Sequence, residues 1–149
     1  MTHHRPDKDH YYLGIARAVA VRGTCRRRNY GAVIVANDQI VSTGYTGAPR
    51  NTPNCLDQSV PCPRMANGAQ QGSSYDECRS VHAEMNAIIH GGRNLMVGAT
   101  LYLAGVAGPE GDFKQDPEPC PLCRRAIINA GIATVTVERL NGEPASFEV

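Results

Sequence analysis

The sequence carries little net charge and contains no long apolar run. Its 15 Lys and Arg side chains almost balance its 14 Asp and Glu side chains, which leaves a formal net charge of +1. No apolar segment approaches the roughly 20 residues that a membrane helix needs. Because long nucleic acids are usually held by a strongly basic surface, we expect neither nucleic acid nor a membrane among the partners. The short basic run "RRR" at 26–28 is interpreted as a solvated surface feature.

The N-terminal segment "MTHHRPDKDHYY" is polar and lacks the apolar region of a secretory signal peptide. A reducing compartment is therefore expected, and we assign the chain to the cytoplasm. Its six cysteines need an explanation other than disulfides there. Clustered thiols in a cytoplasmic chain more often bind metal or perform chemistry, so metal-bound cysteine is the leading interpretation.

The length of the chain suits one globular domain, residues 1–149. Apolar periodicity and turn residues divide it into helices and strands. The predicted elements are a helix at 9–22, strands at 31–36 and 39–45 forming a hairpin, a long irregular segment at 46–79, a helix from near Ser80 to 91, a strand at 99–104, a loop at 105–118, a helix at 120–131, a strand at 132–138 and a short strand within 144–149. This order predicts an α/β layered domain with a mixed sheet, because strands joined through crossover helices run parallel.

The stretch "SVHAEMNAII" at 80–89 places His82 and Glu84 at the start of an amphipathic helix. Taken alone, His82 could be a satisfied core histidine, and Glu84 could be an acid that favours the positive end of the helix dipole. The pair does not fit a capping box, because with Ser80 as the N-cap the glutamate comes one residue too late.

The stretch "EPCPLC" supplies Cys120 and Cys123 at the spacing that lets one metal ion take two thiolates from a single turn. Alone, the pair could equally be a redox CxxC or two small core residues. Combined with His82 and Glu84, however, it completes the His-x-Glu and Pro-Cys-x-x-Cys signature of zinc deaminases. One histidine and two thiolates leave a fourth tetrahedral position open for water, as a catalytic zinc site requires. Glu84 would then be the general acid and base rather than a ligand.

Three ordered motifs, "GAVIVANDQIVSTGYTGAP", "VHAEMNAI" and "PCPLCRRAIINAGI", resemble the cytidine and deoxycytidylate deaminase superfamily, most closely its dCMP deaminase branch. The resemblance implies a three-layer α/β/α sandwich around a mixed sheet of about five strands. It also implies a hydrolytic deaminase in which zinc-activated water attacks C4 of cytosine. Carried onto this chain, His82, Cys120 and Cys123 would hold the zinc, Glu84 would transfer protons, and the Ala83 backbone would help to position the pyrimidine. A homo-oligomer, often a hexamer, and in some members regulation by dCTP and dTTP are further expectations.

The chain departs from the dCMP deaminase pattern at two places. Thr46 in "GYTG" stands where the branch usually has an asparagine that contacts the sugar, and a hydroxyl has a shorter reach. The loop at 105–118 is longer than in similar proteins, and it could be either a lid or a surface excursion. Both departures bear on the identity of the substrate.

Four further cysteines lie outside these motifs, namely Cys25, Cys55, Cys62 and Cys78. Each could be a small buried apolar residue. Three of them fall in the long segment 46–79, which otherwise has no means of ordering itself. A closed site of four thiolates would tie that segment down, and some dCMP deaminases carry a second zinc with ligands where Cys25 and Cys55 fall. We therefore expect a catalytic zinc and a second, structural one.

The leading hypothesis is hydrolysis of a cytosine nucleotide, dCMP to dUMP, with Arg27 or Arg50 binding the phosphate. The alternatives are deamination of a nucleoside, guanine or another amino-heterocycle, and a non-catalytic zinc module of the same fold. Retention of Glu84 argues against the last alternative, since a structural site needs no acid beside an open metal position.

Overall fold

A computed structural model describes residues 4–149 and contains one five-stranded sheet with the strand order β2-β1-β3-β4-β5. Residues 1–3, which belong to the predicted domain and its polar N-terminal segment, lie outside the described residues. The strands are β1 (Arg28–Ala36), β2 (Gln39–Tyr45), β3 (Thr100–Ala107), β4 (Thr134–Glu138) and β5 (Pro144–Glu148). The helices are α1 (Lys8–Val21), the single-turn α2 (Pro63–Ala66), α3 (Ala83–Gly91) and α4 (Pro121–Asn129).

The sheet is mixed, as the sequence predicts. Strands β1 and β2 form an antiparallel hairpin, and the turn residues Asn37 and Asp38 both have positive φ, 51° and 59°. This geometry matches the twist of a two-residue hairpin and suits asparagine and aspartate. Strand β3 is antiparallel to β1 and parallel to β4, to which it is joined through α4, and β5 pairs antiparallel with β4.

Alternation along the central strands creates two apolar layers. Ile34 and Leu103 are fully buried on the face covered by α3 and α4, whereas Val33 and Tyr102 face α1 on the other side. Because successive side chains of a strand point to opposite faces, each central strand contributes to both cores. The result is the three-layer α/β/α sandwich that the sequence predicts.

The helix that carries His82 packs very closely on the hairpin. A Cβ atom added at Gly44 of β2 would lie 2.3 Å from the backbone nitrogen of Ala87 in α3. Only glycine permits this approach of helix to strand. The close contact fixes the position of α3 on the sheet and therefore the place where its first residues lie.

Three predicted boundaries are wrong by three residues each. Strand β1 begins at Arg28 rather than at residue 31, because its first three residues pair with the end of β3. Helix α3 begins at Ala83 rather than near Ser80, because Val81 is held in an isolated antiparallel pair with Gly47 through two backbone hydrogen bonds of 2.7 and 3.2 Å. Strand β3 continues to Ala107, so it takes the first three residues of the predicted loop 105–118. Within residues 4–149, no helix is long and apolar enough to cross a bilayer.

Candidate active site

The first turns of α3 and α4 bring a histidine and two cysteines together. His82 is the N-cap of α3 and Cys120 is the N-cap of α4, whose Sγ accepts a hydrogen bond from the backbone N–H of Cys123 at 3.4 Å. The Nδ1 atom of His82 lies 3.5 Å from Cys120 Sγ and 3.3 Å from Cys123 Sγ. The three ligand atoms all lie within 4.8 Å of one another. We call these three residues the catalytic cluster.

The members of the catalytic cluster shift one another's pKa values. A hydrogen bond from the Cys123 thiol, opposed by burial and reinforced by His82, lowers the pKa of Cys120 to about 4. The hydrogen bond to Cys120, together with burial, raises the pKa of Cys123, and the hydrogen bond with Cys120 raises the pKa of His82. Such a set binds a cation readily, because a coordinating thiol gives up its proton to the metal.

Glu84 lies beside this cluster as a buried carboxyl group. It is 5% exposed in the first turn of α3, and burial raises its pKa above the ordinary glutamate value. Within the described part of the chain it forms no ion pair with Lys, Arg or His. A carboxyl group with a raised pKa can both accept and return a proton near neutral pH, as general acid and base catalysis requires.

The catalytic cluster opens into an inner cavity of about 120 Å³, which His82, Glu84 and Cys120 line. An outer cavity of about 510 Å³ adjoins it and shares Tyr30 and Tyr75 with it as lining residues. A few convergent polar groups within a largely enclosed cavity are typical of a small-molecule site.

The predicted substrate contacts Thr46 and Arg27 line the inner cavity. Thr46 is 6% exposed, and its Oγ1 accepts the backbone N–H of Tyr30 at 3.0 Å. Ala83 is fully buried, at the first position of α3. Thr46 and Arg27 thus share the cavity with His82, and their contacts with the substrate stay predictions, as does that of the Ala83 backbone.

Arg50 is not brought to this cavity. It lines a separate concavity of about 390 Å³, where its guanidinium lies 3.0 Å from Nε2 of His90. Because arginine can only donate, this Nε2 is the acceptor, and the Nδ1–H of the same ring donates to the Thr43 carbonyl at 2.6 Å. Arg50 lies beyond the Gly47–Val81 pair, where its guanidinium contacts His90 instead. The structure therefore corrects the prediction that Arg50 reaches the substrate.

The three consecutive arginines at 26–28 are not simply a solvated patch. Arg26 donates to the carbonyl oxygens of Gln58 and Val60, and Arg28 donates to the carbonyl of Asp112 at 3.0 Å and to the side chain of Gln71. Two of the three therefore hold loops in place. The guanidinium of Arg27 has no hydrogen bond or ion pair within residues 4–149, and Arg27 is one of the residues that line the inner cavity.

Tyr75 is a site residue that the sequence does not reveal. Its ring packs edge-on against the imidazole of His82, with the centroids 4.9 Å apart and the planes at 82°. The guanidinium of Arg64 lies 4.7 Å from the same ring and is itself fixed by hydrogen bonds to the Ser73 carbonyl at 2.6 and 2.9 Å. These contacts arise within the irregular segment 46–79, where no periodicity announces them.

The remaining four cysteines, which we call the thiol cluster, all line the inner cavity. Cys25 Sγ accepts the N–H of Arg27, and Cys78 Sγ accepts the N–H of Ser80, each at 3.4 Å. Burial raises the pKa of Cys55, and the three other thiols of the cluster add to the effect. In residues 4–149 the catalytic cluster is the only group of three or more His, Cys, Asp or Glu residues whose potential ligand atoms all lie within 4.8 Å of one another. The sulfurs of the four other cysteines are therefore farther apart. The members of the thiol cluster are Cys25, Cys55, Cys62 and Cys78.

The segment after β3 borders the outer cavity. Phe113 packs edge-on against Tyr30 with centroids 5.4 Å apart, and Gln115 accepts a hydrogen bond from Gln71 at 2.8 Å. The backbone of Gly108 donates to the Arg27 carbonyl at 2.7 Å. The inserted segment therefore joins the irregular segment 46–79 at one wall of the cavity.

Comparison with known proteins places these motifs in a family. Residues 6–139 match the cytidine and deoxycytidylate deaminase zinc-binding region. A deoxycytidylate deaminase of Mycobacterium phage D29 is 39% identical over 136 residues, which cover 88% of this chain and 94% of the relative. The deoxycytidylate deaminase of Saccharomyces cerevisiae is 34% identical over 88% of this chain, but the match covers only 37% of the yeast protein.

Two solved structures share the fold. A dCMP deaminase from the cyanophage S-TIM5, determined with dCMP and dUMP, aligns with a TM-score of 0.60 at 23% identity over 89% of this chain and 82% of its own. A cytidine deaminase from Burkholderia pseudomallei aligns with a TM-score of 0.60 at 18% identity over 99% of this chain and 93% of its own. At these identities the likeness concerns the fold.

Proposed function

This chain belongs to the cytidine and deoxycytidylate deaminase family, and we propose that its reaction is the hydrolysis of dCMP to dUMP and ammonia. It is a zinc-dependent hydrolytic deaminase. The observation that carries the proposed substrate is a single cavity that His82, Cys120 and the buried acid Glu84 line. Arg27, whose side chain has no hydrogen bond or ion pair in residues 4–149, lines the same cavity. The relatives named deoxycytidylate deaminase support a nucleoside monophosphate.

The residues of the catalytic cluster fit zinc. One imidazole nitrogen and two sulfurs are ligands that zinc prefers, and three protein ligands are the number typical of catalytic rather than closed structural sites. We propose that His82, Cys120 and Cys123 hold the ion. When bound, zinc supplies Lewis-acid chemistry that makes water a nucleophile near neutral pH.

Glu84 carries the protons of the proposed reaction. Hydrolysis replaces the amino group at C4 by oxygen and breaks the C4–N bond, so a proton must leave the water and another must reach the departing nitrogen. The carboxylate of Glu84 accepts one proton of the water and, as the acid, delivers it to N3, where it stays in the uracil product. It then takes the remaining proton from the oxygen newly bound to C4 and delivers it to the amine, which leaves as ammonia. Burial raises the pKa of Glu84, which favours its role as a proton carrier.

The remaining side chains orient the nucleotide. We propose that the Thr46 hydroxyl binds the sugar and that the buried Ala83 backbone at the start of α3 contacts the pyrimidine edge. The free guanidinium of Arg27 binds the phosphate, since its planar fork matches a phosphate better than an ammonium does. Tyr75 packs against His82 and holds its ring in place.

We also propose that the thiol cluster binds a second, structural zinc. The backbone N–H groups that point at the sulfurs of Cys25 and Cys78 stabilise thiolates, as the N–H of Cys123 does at Cys120. Four thiolates form the closed set typical of structural zinc sites, and such a site contributes directly to folding free energy.

Three further features of the protein are proposed together. Residues 1–149 form one domain, and the six free cysteines support a cytoplasmic, reducing location. A homo-oligomer is supported by exposed apolar side chains around the ends of α3 and α4, which light scattering of the purified protein would test. Those side chains are Ile89, Leu95, Val97, Leu122 and Ile128.

The decisive experiment is ammonia release from a panel of dCMP, CMP, deoxycytidine and guanine, together with zinc content by elemental analysis. We expect dCMP to have the highest kcat/KM. A preference for deoxycytidine or guanine would move the chain to another branch, and zinc binding without any ammonia release would favour a non-catalytic module.

A further inference from the structure

Four arginines line the inner cavity, and they fall into two classes. Arg28 and Arg64 are committed to neighbouring loops, because each donates side-chain hydrogen bonds to other residues. Arg27 and Arg79 have no side-chain hydrogen bond or ion pair with any residue that the structure describes. The four lining arginines are Arg27, Arg28, Arg64 and Arg79.

The backbone on both sides of Arg79 is fixed. Before it, Cys78 Sγ accepts the N–H of Ser80 at 3.4 Å and closes a turn around Arg79. After it, Val81 is paired with Gly47, two residues beyond Arg79 and one before His82. The backbone of Arg79 is therefore fixed beside the catalytic cluster, so ligand binding would have to order only its side chain.

Arg27 is anchored in a similar way on the opposite segment of the chain. Its own backbone N–H donates to Cys25 Sγ at 3.4 Å. Arg27 and Arg79 thus each come shortly after a cysteine of the thiol cluster, and the sulfur of that cysteine accepts a backbone hydrogen bond. One segment leads into β1 and the other leads into α3. Both segments line the inner cavity, and in each of them a cysteine of the thiol cluster lies within two residues of the arginine.

The charges in the cavity call for a dianionic ligand. Arg27 and Arg79 line the cavity and are each half-buried, while its two lining acids are the buried Glu84 and the exposed Glu118. Neither acid pairs with Arg27 or Arg79 among residues 4–149. A phosphate monoester carries close to two negative charges near neutral pH and accepts bidentate hydrogen bonds from guanidinium groups.

We propose that Arg79 is the second cation of a two-arginine clamp that, together with Arg27, binds the phosphate of the substrate. This inference rests on the proposed function and deepens it, because it explains how the chain would favour a nucleoside monophosphate over the nucleoside. Arginine at position 79 supplies a planar fork that lysine lacks, so Lys would replace it only in part.

The test compares dCMP with deoxycytidine, which differs from it only by the phosphate. The zinc-loaded full chain is assayed as wild type and with Arg79→Ala, Arg79→Lys, Arg27→Ala and, as a matched control, Arg125→Ala on the exposed face of α4. A hydrogen-bonded charge contact is worth about 10- to 100-fold, so KM for dCMP should rise by about that factor in Arg79→Ala. The rise should exceed any rise for deoxycytidine by about tenfold, and Arg79→Lys should recover part of it.

A second readout does not depend on turnover. Calorimetric binding of dUMP and deoxyuridine should show a loss of affinity for dUMP alone in Arg79→Ala, with zinc content equal to that of the Arg125→Ala control. If Arg79→Ala does not fold, the same comparison made with Arg79→Lys decides the matter.

The outcomes separate this inference from the proposed function. A phosphate-specific loss in Arg27→Ala, combined with equal or absent losses on both substrates in Arg79→Ala and Arg79→Lys, would overturn the clamp and leave dCMP hydrolysis intact. A wild-type protein that handles deoxycytidine as well as dCMP would overturn both.

Discussion

The catalytic cluster and the thiol cluster border the same cavity, but different parts of the fold hold them. His82 and Cys120 cap two nine-residue helices that pack on the sheet, and the ligand atoms of the catalytic cluster already lie within 4.8 Å of one another. The thiol cluster is supplied by the turn after α1 and by the irregular segment 46–79, and its sulfurs converge more loosely. The apolar core thus preorganises the catalytic cluster, whereas the thiol cluster would depend on the proposed second zinc for its order.

This difference separates the two contributions that a metal ion can make, one to catalysis and one to folding free energy. At the catalytic cluster, burial of the helices already offsets the loss of conformational entropy that comes with bringing the ligands together. A metal ion there therefore contributes mainly to catalysis rather than to folding. At the thiol cluster the segment has few buried side chains, so metal-binding free energy would be spent on ordering the chain. Removing a ligand of the catalytic cluster should therefore lower turnover more than stability, whereas removing a ligand of the thiol cluster should lower stability more than turnover.

The largest effect should follow from Cys120→Ala. The change removes one of three ligands, so the catalytic zinc should be lost and ammonia release should fall to the background rate. The melting temperature should change little, because the apolar core beneath α4 is untouched. Elemental analysis and calorimetry on the same sample would check both halves, and turnover above a tenth of wild type would contradict the ligand assignment.

The matched change in the second region is Cys62→Ala. We expect the loss of one zinc per chain, a fall in melting temperature of at least about 5 °C, and faster amide hydrogen exchange confined to residues 46–79. Catalysis should fall less than in Cys120→Ala, because the catalytic ligands remain. A wild-type protein with one zinc per chain and four freely titratable loop thiols would return these cysteines to packing roles.

A smaller effect is expected where the two regions touch. Tyr75 belongs to the irregular segment but packs against His82, and aromatic pairs are worth about 0.5–1.5 kcal/mol beyond burial. Tyr75→Ala should therefore lower kcat/KM for dCMP by about 2- to 13-fold. Tyr75→Phe, which keeps the ring, serves as its control and should retain most activity. Equal losses in both variants would assign the effect to the hydroxyl group instead.

The smallest effect should come from a change remote from both clusters. The hydrogen bond from Lys8, with that from Tyr12, lowers the pKa of Asp38 below its usual 3.8. Its contribution to the free energy of unfolding is present above pH 3.8 and is lost as the pH falls through the lower folded-state value. Asp38→Asn should melt slightly below wild type at pH 7 and approach it below pH 3.8, with zinc content unchanged. A difference that persists undiminished in acid would exclude the ionised carboxylate as its cause.

Periodicity and motif spacing predicted the helices and strands that pack in the apolar core. The Asn37–Asp38 turn and the order of helices and strands were sufficient for an α/β layered domain with a mixed sheet, whereas the three-layer sandwich followed from the family resemblance. The His-x-Glu and Pro-Cys-x-x-Cys motifs likewise predicted that His82 and Cys120 would meet, because both begin helices on one face of the sheet.

The sequence could not show what the irregular segment does. Arg50 precedes a stretch without regular structure, so nothing in its sequence position revealed that it turns toward His90 and away from the cavity. Tyr75 reaches the cavity through ring packing against His82 and Arg64. Arg79 reaches it through the turn that Cys78 Sγ closes, and neither placement follows a repeating pattern. The start of α3 was misplaced because the Gly47–Val81 pair competes with helix formation.

The most direct test of the central claim is ammonia release from dCMP by the zinc-loaded wild type and by Glu84→Gln, with zinc measured in both. If Glu84 carries the protons beside a metal site that it does not ligate, the variant should keep its zinc and its fold and lose about 10²- to 10⁴-fold in kcat. Near-normal turnover by Glu84→Gln, or loss of the catalytic zinc with the substitution, would contradict the account.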